Sequence, residues 1–237
     1  MYHCDMHTHT IASGHGTSCT ITDMAKAAAA KRIEVLGITD HGPATRAAGT
    51  LSYFRSLANG PAMRQGVRLC YGAEVNIVDY CGTIDIPEEV LDRLDYAIAS
   101  VHYQNLKPGC REANTMAYTL AMRHKGVRII GHPDDTRYPL DYDRLTEAAA
   151  EYGVILEVNN SSLSPEGYRG DVRDNYRALL EECRKKKLPV LLSSDSHGTG
   201  HIGDFTWAER MVRSVDFPEE LILNGQPERL FRILHII

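Results

Sequence analysis

The strongest constraint on this chain is a recurrence along it. Seven short apolar runs, spaced roughly 26 to 35 residues apart, each deliver polar groups at their C-terminal ends. The first ends on Asp5-Met6-His7-Thr8-His9, with His15 close behind. The later ones end on Asp40-His41, Glu74, His102, His132, Asn159-Asn160-Ser161-Ser162 and Asp195-Ser196-His197. Two histidines one residue apart on a strand point to the same face, and neutral imidazole is the commonest ligand for zinc-like ions. The chain reads as built around a metal site.

After a short first strand before His7, the runs cover residues 34–39, 68–73, 96–101, 127–130, 154–158 and 189–193. They are too apolar on both faces for a sheet with one wet side. Helical stretches fall near 23–31, 51–57, 87–94, 111–125, 142–152 and 172–187. The first has hydroxyls between Ser18 and Thr22 to cap it and the Ala27 to Ala30 run to propagate it. Two more helices, near 205–215 and 228–235, end the chain. Strands alternating with helices pair in parallel through right-handed crossovers. An open doubly wound sheet concentrates its chemistry at one switch point, whereas only a closed ring brings seven strand ends together. The expected fold is α/β, a seven-stranded (β/α)7 TIM-like barrel with a metal cluster at the C-terminal mouth, in one domain over residues 1–237.

Composition adds exclusions. With 43% apolar and 24% charged residues in 237, the chain is an ordinary globular sequence of a size that buries a large core. A net charge of −5 gives no reason to expect nucleic acid as partner. The six cysteines show no C-x-x-C spacing, so a thiolate zinc knuckle or redox pair is not expected, and most should be reduced and buried. No signal peptide or membrane-spanning run is read, which makes the cytoplasm the default compartment.

Taken singly, His102 or His132 is better read as a hydrogen-bonded structural histidine, and Glu74 as a paired core carboxylate. Together these readings fail. A ring burying His7, His9, His15, His41, His102, His132 and His197 with Glu74 and Asp195 would incur large desolvation and like-charge penalties without a cation. Nine donors exceed the needs of one ion, so two or three ions bridged by Glu74 fit better. His3, His124, His201 and His235 fall outside the pattern and read as surface or packing residues. Trp207 and the tyrosines read as packing or pocket wall, and Gly198 to Gly200 is too short for a nucleotide loop.

The series resembles the PHP (polymerase and histidinol phosphatase) family, most closely its YcdX-type bacterial phosphatases, almost end to end. The motifs that carry the likeness are Asp5-Met6-His7-Thr8-His9, Ile38-Thr39-Asp40-His41-Gly42, Gly72-Ala73-Glu74, His132-Pro133, Glu157-Val158-Asn159-Asn160-Ser161-Ser162 and Ser194-Asp195-Ser196-His197. The resemblance implies a distorted seven-stranded barrel holding three divalent ions, zinc first, with manganese or iron as alternatives. It implies that His7, His9, Glu74 and Asp195 hold one ion, Glu74, His102 and His132 its bridged neighbour, and His15, His41 and His197 the third. Some relatives it resembles can form trimers, so the resemblance implies that a homo-oligomer is open to this chain. Residues 47–66 carry no distinctive motif, so no substrate contact transfers there.

Such a mouth attracts phosphate, and a water bridging two ions supplies hydroxide for in-line attack. Glu74, Asp195 and His197 are the expected catalytic groups. Arg137, five residues after His132, is a candidate phosphate clamp because guanidinium donates in a bidentate fork, and a similarly placed arginine occurs in histidinol phosphatases of this family. The expected activity is metal-dependent hydrolysis of small-molecule phosphomonoesters. The alternatives are an exonuclease-like phosphodiesterase, against which the acidic balance speaks, and a non-catalytic metal-dependent phosphate-binding module.

Overall fold

A computed structural model describes residues 2–236. The elements in chain order are β1 (Cys4–Asp5), β2 (Thr8–His9), α1 (Ile21–Ala30), β3 (Val35–Ile38), α2 (Leu51–Leu57), β4 (Met63–Arg64), β5 (Val67–Asn76), α3 (Glu88–Leu91) and β6 (Tyr96–Ser100). They continue with α4 (Arg111–Ala121), β7 (Val127–Ile130), α5 (Tyr142–Tyr152), β8 (Ile155–Asn159), α6 (Asn160–Leu163), α7 (Arg173–Lys186), β9 (Val190–Ser193), β10 (Ser196–His197), α8 (Thr206–Ser214) and α9 (Pro227–Leu234). The expected strands and helices are all present. α1 starts where its hydroxyls direct it: Thr20 accepts from the Asp23 amide while the Asp23 carboxylate accepts from the Thr20 amide, a reciprocal cap.

Seven strands pair in parallel in the order β1-β3-β5-β6-β7-β8-β9, a nearly closed barrel with helices around it. The seam between β9 and β1 is bridged by a side chain. Asn224, fully buried, accepts from the Leu192 amide (2.8 Å) and donates to the Leu192 carbonyl (2.7 Å) and the Cys4 carbonyl (2.9 Å). One amide thus stands in for ladder bonds that the two strands do not make.

Strand alternation separates a dry floor from a polar mouth. Cys4, Val35, Cys70, Tyr96, Ile98, Ile129, Ile155 and Leu191 form an apolar cluster inside the ring, which Leu230 and Leu234 of α9 join. Stepping by two toward the C-terminal ends, the same faces pass small residues and then reach donors: Cys70, Gly72, Glu74, Asn76 on β5, and Ile155, Glu157, Asn159 on β8. Gly37 makes room for this layering. A Cβ there would lie 2.1 Å from the Tyr96 Oη, and that phenol crosses the barrel to donate to the Met6 carbonyl at 2.6 Å. A second, larger apolar cluster lies between the barrel and the helices. Among the described residues no helix is long and apolar enough to cross a membrane.

Two features exceed the sequence reading. β2 and β10 pair in parallel, with Thr8 opposite Ser196 and His9 opposite His197, so the first and last donor segments are tied directly. β5 runs two residues past Glu74, because Val75 and Asn76 pair with Ala99 and Ser100, which places Glu74 inside a strand rather than at its tip.

Candidate metal centre

Glu74 is the hub. Its Oε1 lies 2.8 Å from His132 Nε2 and 3.4 Å from His102 Nε2. Its Oε2 lies 2.6 Å from His41 Nδ1, 3.4 Å from His7 Nε2 and 3.5 Å from His9 Nε2. Asp195 faces the same space, with Oδ1 3.1 Å from His9 Nε2 and 3.7 Å from His7 Nε2. The ring of His197 stacks on His9 at 4.1 Å, and His15 lies 4.9 Å from both His41 and His197. All nine residues expected as donors therefore converge, with His15 the exposed member at the mouth.

Five of the imidazoles have their tautomer fixed by what their Nδ1 meets. His7 Nδ1 donates to Glu157 (2.7 Å), His102 Nδ1 to Asn76 Oδ1 (2.7 Å), His15 Nδ1 to the Ser13 carbonyl (3.1 Å) and His197 Nδ1 to the Asp195 carbonyl (3.2 Å). The Asn76 orientation is itself determined, since its Nδ2 faces the Gly42 carbonyl and the Asp85 carboxylate. His9 is set by a hydroxyl: Ser13 Oγ donates to Asp40 Oδ1 (2.7 Å), so it accepts from His9 Nδ1 (2.9 Å). Asp40 also receives the Thr10 amide, the Thr10 hydroxyl and the Tyr53 hydroxyl. In its neutral form each of these rings has its Nε2 lone pair free.

Three of those lone pairs are shut away from solvent and from any hydrogen-bond partner. The Nε2 atoms of His7, His9 and His197, together with His41 Nδ1 and Glu74 Oε2, are buried without a hydrogen-bond partner. His41 Nδ1 and Glu74 Oε2 approach to 2.6 Å without hydrogen-bond geometry. Several acceptors pressed together in a dry site are costly unless something positive lies between them. Three overlapping groups have ligand atoms spaced for an ion: His9, His41, His197; His7, His9, Asp195; and His41, Glu74, His102. The outward hydrogen bonds to Glu157, Asn76 and Ser13 are the arrangement that orients histidine ligands around metals.

Electrostatics divide the rings: for His7, burial favours the neutral form, but Glu157, Glu74 and Asp195 outweigh it and hold the ring well above the ordinary imidazole pKa, whereas its neighbours move the other way. Burial and the neighbouring His197 and His41 rings hold His9 well below the ordinary imidazole pKa, and burial first of all lowers His197 and His15. For Glu74, burial opposes ionisation, but His41, His7 and His102 outweigh it and hold the carboxyl well below its usual range. Asp195 behaves likewise, with His7, His9 and Arg169 overcoming burial. His132 (φ 31°) and Asp195 (φ 53°) both occupy the left-handed region, backbone strain of about 1–3 kcal/mol each that the surrounding contacts must hold in place.

The cluster floors a cavity of about 880 Å³. Arg137 lines its rim, with Nε and Nη2 both engaged by Asp135. A second guanidinium lies deeper. Arg169 is buried, donates to Ser162 Oγ (2.7 Å) and Tyr168 Oη (3.0 Å), and lies 3.4 Å from Asp195 Oδ2. No periodicity marks Arg169 in sequence, because it sits in an irregular loop between α6 and α7. Glu157 was visible inside the Glu157-Val158-Asn159-Asn160 motif but without a role; it anchors His7 and accepts from the His132 amide at 2.6 Å. Among the residues set aside, His201 is exposed, while Cys4, Cys70 and Cys183 are buried, and no cysteine is paired. Trp207 lies on a separate cleft, under Arg210.

The PHP domain family model matches residues 5–163. A protein of Acetivibrio thermocellus named "Probable phosphatase" is 40% identical over 225 residues, which cover 95% of this chain and 92% of that one. A "Probable phosphatase" of Yersinia enterocolitica is 39% identical, covering 99% and 94%. Among solved structures, a histidinol phosphate phosphatase from Lactococcus lactis, complexed with zinc, L-histidinol and phosphate, shares the fold. Its TM-score is 0.57 at 17% identity, covering 92% of this chain and 95% of that one. The match over most of the barrel, with relatives aligned nearly end to end, establishes that this chain belongs to the PHP domain family.

Proposed function

We propose that this protein is a metal-dependent phosphatase that hydrolyses phosphomonoesters of small molecules. The observation that carries this is the convergence of tautomer-fixed imidazoles and two carboxylates, with their lone pairs unpartnered, on the floor of an open cavity. The names of the relatives and the zinc and phosphate of the Lactococcus lactis structure support it.

The donor set fits a cluster of divalent cations, zinc first, with manganese or iron as alternatives. His7, His9, Glu74 and Asp195 would hold one ion, Glu74, His102 and His132 a second, and His15, His41 and His197 a third. Bound there, such ions would polarise phosphoryl oxygens and make hydroxide available at neutral pH. The rest falls to the chain itself. Glu157, Asn76 and Ser13 keep the Nδ1 protons of their partner histidines turned away from the cavity, so that Nε2 faces inward. Arg169, held by Ser162, Tyr168 and Asp195, presents permanent positive charge beside the cluster and is the residue best placed to receive a phosphate oxygen.

The test is turnover of p-nitrophenyl phosphate by protein of verified metal content. Arg169→Ala should lower kcat/KM by about a hundredfold, the scale of losing one charged transition-state contact, with metal content retained. Absence of turnover in the metal-replete wild type would refute the reading.

A further inference from the structure

Above the cluster, the charged groups of the cavity wall are unevenly committed. Its lining contains two carboxylates, Asp135 and Asp195. Asp135 receives both Nε and Nη2 of Arg137, and Asp195 faces His9, Asn159 and Arg169. Among the described lining residues, a substrate amine would find no uncommitted carboxylate.

Cations are differently placed. Arg46 lines the same cavity, is exposed, and has no ion-pair or hydrogen-bond partner among the described residues. Arg137 keeps Nη1 unbonded and lies over the Tyr103 ring at 5.4 Å, a ring that Lys107 also covers at 3.6 Å. The loops bearing these groups are stitched together. Thr45 Oγ1 (3.2 Å) and Asn105 Nδ2 (2.6 Å) both donate to Asn76 Oδ1, which joins the Arg46 turn to the segment that begins at His102 and Tyr103. The Arg46 turn is also pinned from below. The Ala44 amide donates to Asp85 at 2.9 Å, the Gly49 amide to the Ala12 carbonyl at 2.8 Å, and Gly14 passes so close that a Cβ would lie 2.3 Å from the Ala47 carbonyl carbon. Arg46 therefore projects from a fixed turn and, with Arg137, lines the cavity with positive charge.

We propose that the cavity accepts phosphomonoesters carrying a second anionic group, a carboxylate or a second phosphate, which Arg46 and Arg137 receive while the ester phosphate lies against Arg169. This deepens the phosphatase reading and rests on it. It also separates the protein from one built for a phosphorylated amine, whose ammonium would meet the Arg46 and Arg137 guanidinium groups.

Matched ester pairs test the inference with metal-loaded protein: 3-phosphoglycerate against glycerol 3-phosphate, and fructose 1,6-bisphosphate against fructose 1-phosphate, with phosphoethanolamine as the cationic arm. The doubly anionic member should have kcat/KM higher by about tenfold, expressed in KM, as expected for one charge-assisted contact. Whichever pair shows the larger ratio identifies carboxylate or phosphate as the better occupant. Arg46→Ala and Arg137→Ala should each shrink the ratio, Arg46→Lys should restore part of it, and Arg137→Ala, by freeing Asp135, should raise the relative rate on phosphoethanolamine. A ratio near one in the wild type, a ratio unmoved by both alanine variants, or a wild-type preference for phosphoethanolamine would overturn this inference alone. Failure to hydrolyse any ester, p-nitrophenyl phosphate included, would overturn the phosphatase reading and this inference with it.

Discussion

At the scale of single residues, the site depends on groups that would never touch a cation. Ser13 Oγ has one proton, and it goes to Asp40, so the same oxygen is free to accept from His9. Replacing Ser13 by alanine removes that acceptor and lets His9 adopt the tautomer with its proton on Nε2, where a cation would have to displace it. Ser13→Ala should weaken metal binding by about 10- to 100-fold, read as the chelator concentration that strips half the metal. Tyr53→Phe removes one of four hydrogen bonds to Asp40 and should give a smaller shift in the same direction. Equal retention of metal by wild type and Ser13→Ala would show that the hydroxyl does not govern the His9 tautomer. The candidate ligands themselves were legible because imidazole and carboxylate at strand ends are rare unless they bind something. Ser13, Asn76 and Arg169 were not, because serine, asparagine and arginine are ordinary loop residues whose significance lies in which atom they face.

At the scale of elements, strand alternation made the barrel readable and seam closure did not. The apolar runs gave the strands because period-two burial on both faces leaves no polar position until the mouth is reached. Nothing in a local pattern announces that Asn224, in a short turn before α9, will bond to β1 and β9 at once. Its contacts join residues 220 and 32 positions away, which no periodicity encodes. Asn224→Ala leaves the Leu192 amide and two carbonyls unpaired in a buried seam, at a cost of roughly 2–5 kcal/mol. Thermal unfolding should begin about 10 °C lower, taking a few degrees per kcal/mol for a chain of this size, with metal binding retained at low temperature. An unchanged Tm would mean that the seam is closed by packing alone. The β2 and β10 pairing was equally hidden, since two-residue strands carry no pattern of their own.

At the scale of the whole molecule, the apolar layers set a limit on alkaline stability. Burial pushes the thiols of Cys4, Cys70 and Cys183 up to about 12, against an ordinary value of 9.0. Above pH 9 the unfolded chain releases these protons while the folded chain still holds them. Their contribution is therefore full below the unfolded pKa and is lost as pH rises from 9.0 toward about 12. Denaturant midpoints should fall across that window, and replacing the three by alanine or valine should flatten the decline while costing packing energy. In the native protein at neutral pH, a thiol reagent should label the exposed Cys81 and Cys110 promptly and reach the three buried thiols only on unfolding.

The candidate ligand cluster is where residue, element and molecule meet, because its side chains come from six of the seven barrel strands and the turns that follow them, which only a closed ring assembles. The most direct test is the anomalous scattering map of a crystal grown from protein purified without chelator, recorded at the absorption edges of zinc, manganese and iron. Strong peaks are expected inside the ring formed by His7, His9, His15, His41, Glu74, His102, His132, Asp195 and His197, one beside each of the three donor groups. A map with no peak there, from protein that binds metal in solution, or with peaks only at surface carboxylates, would contradict this expectation.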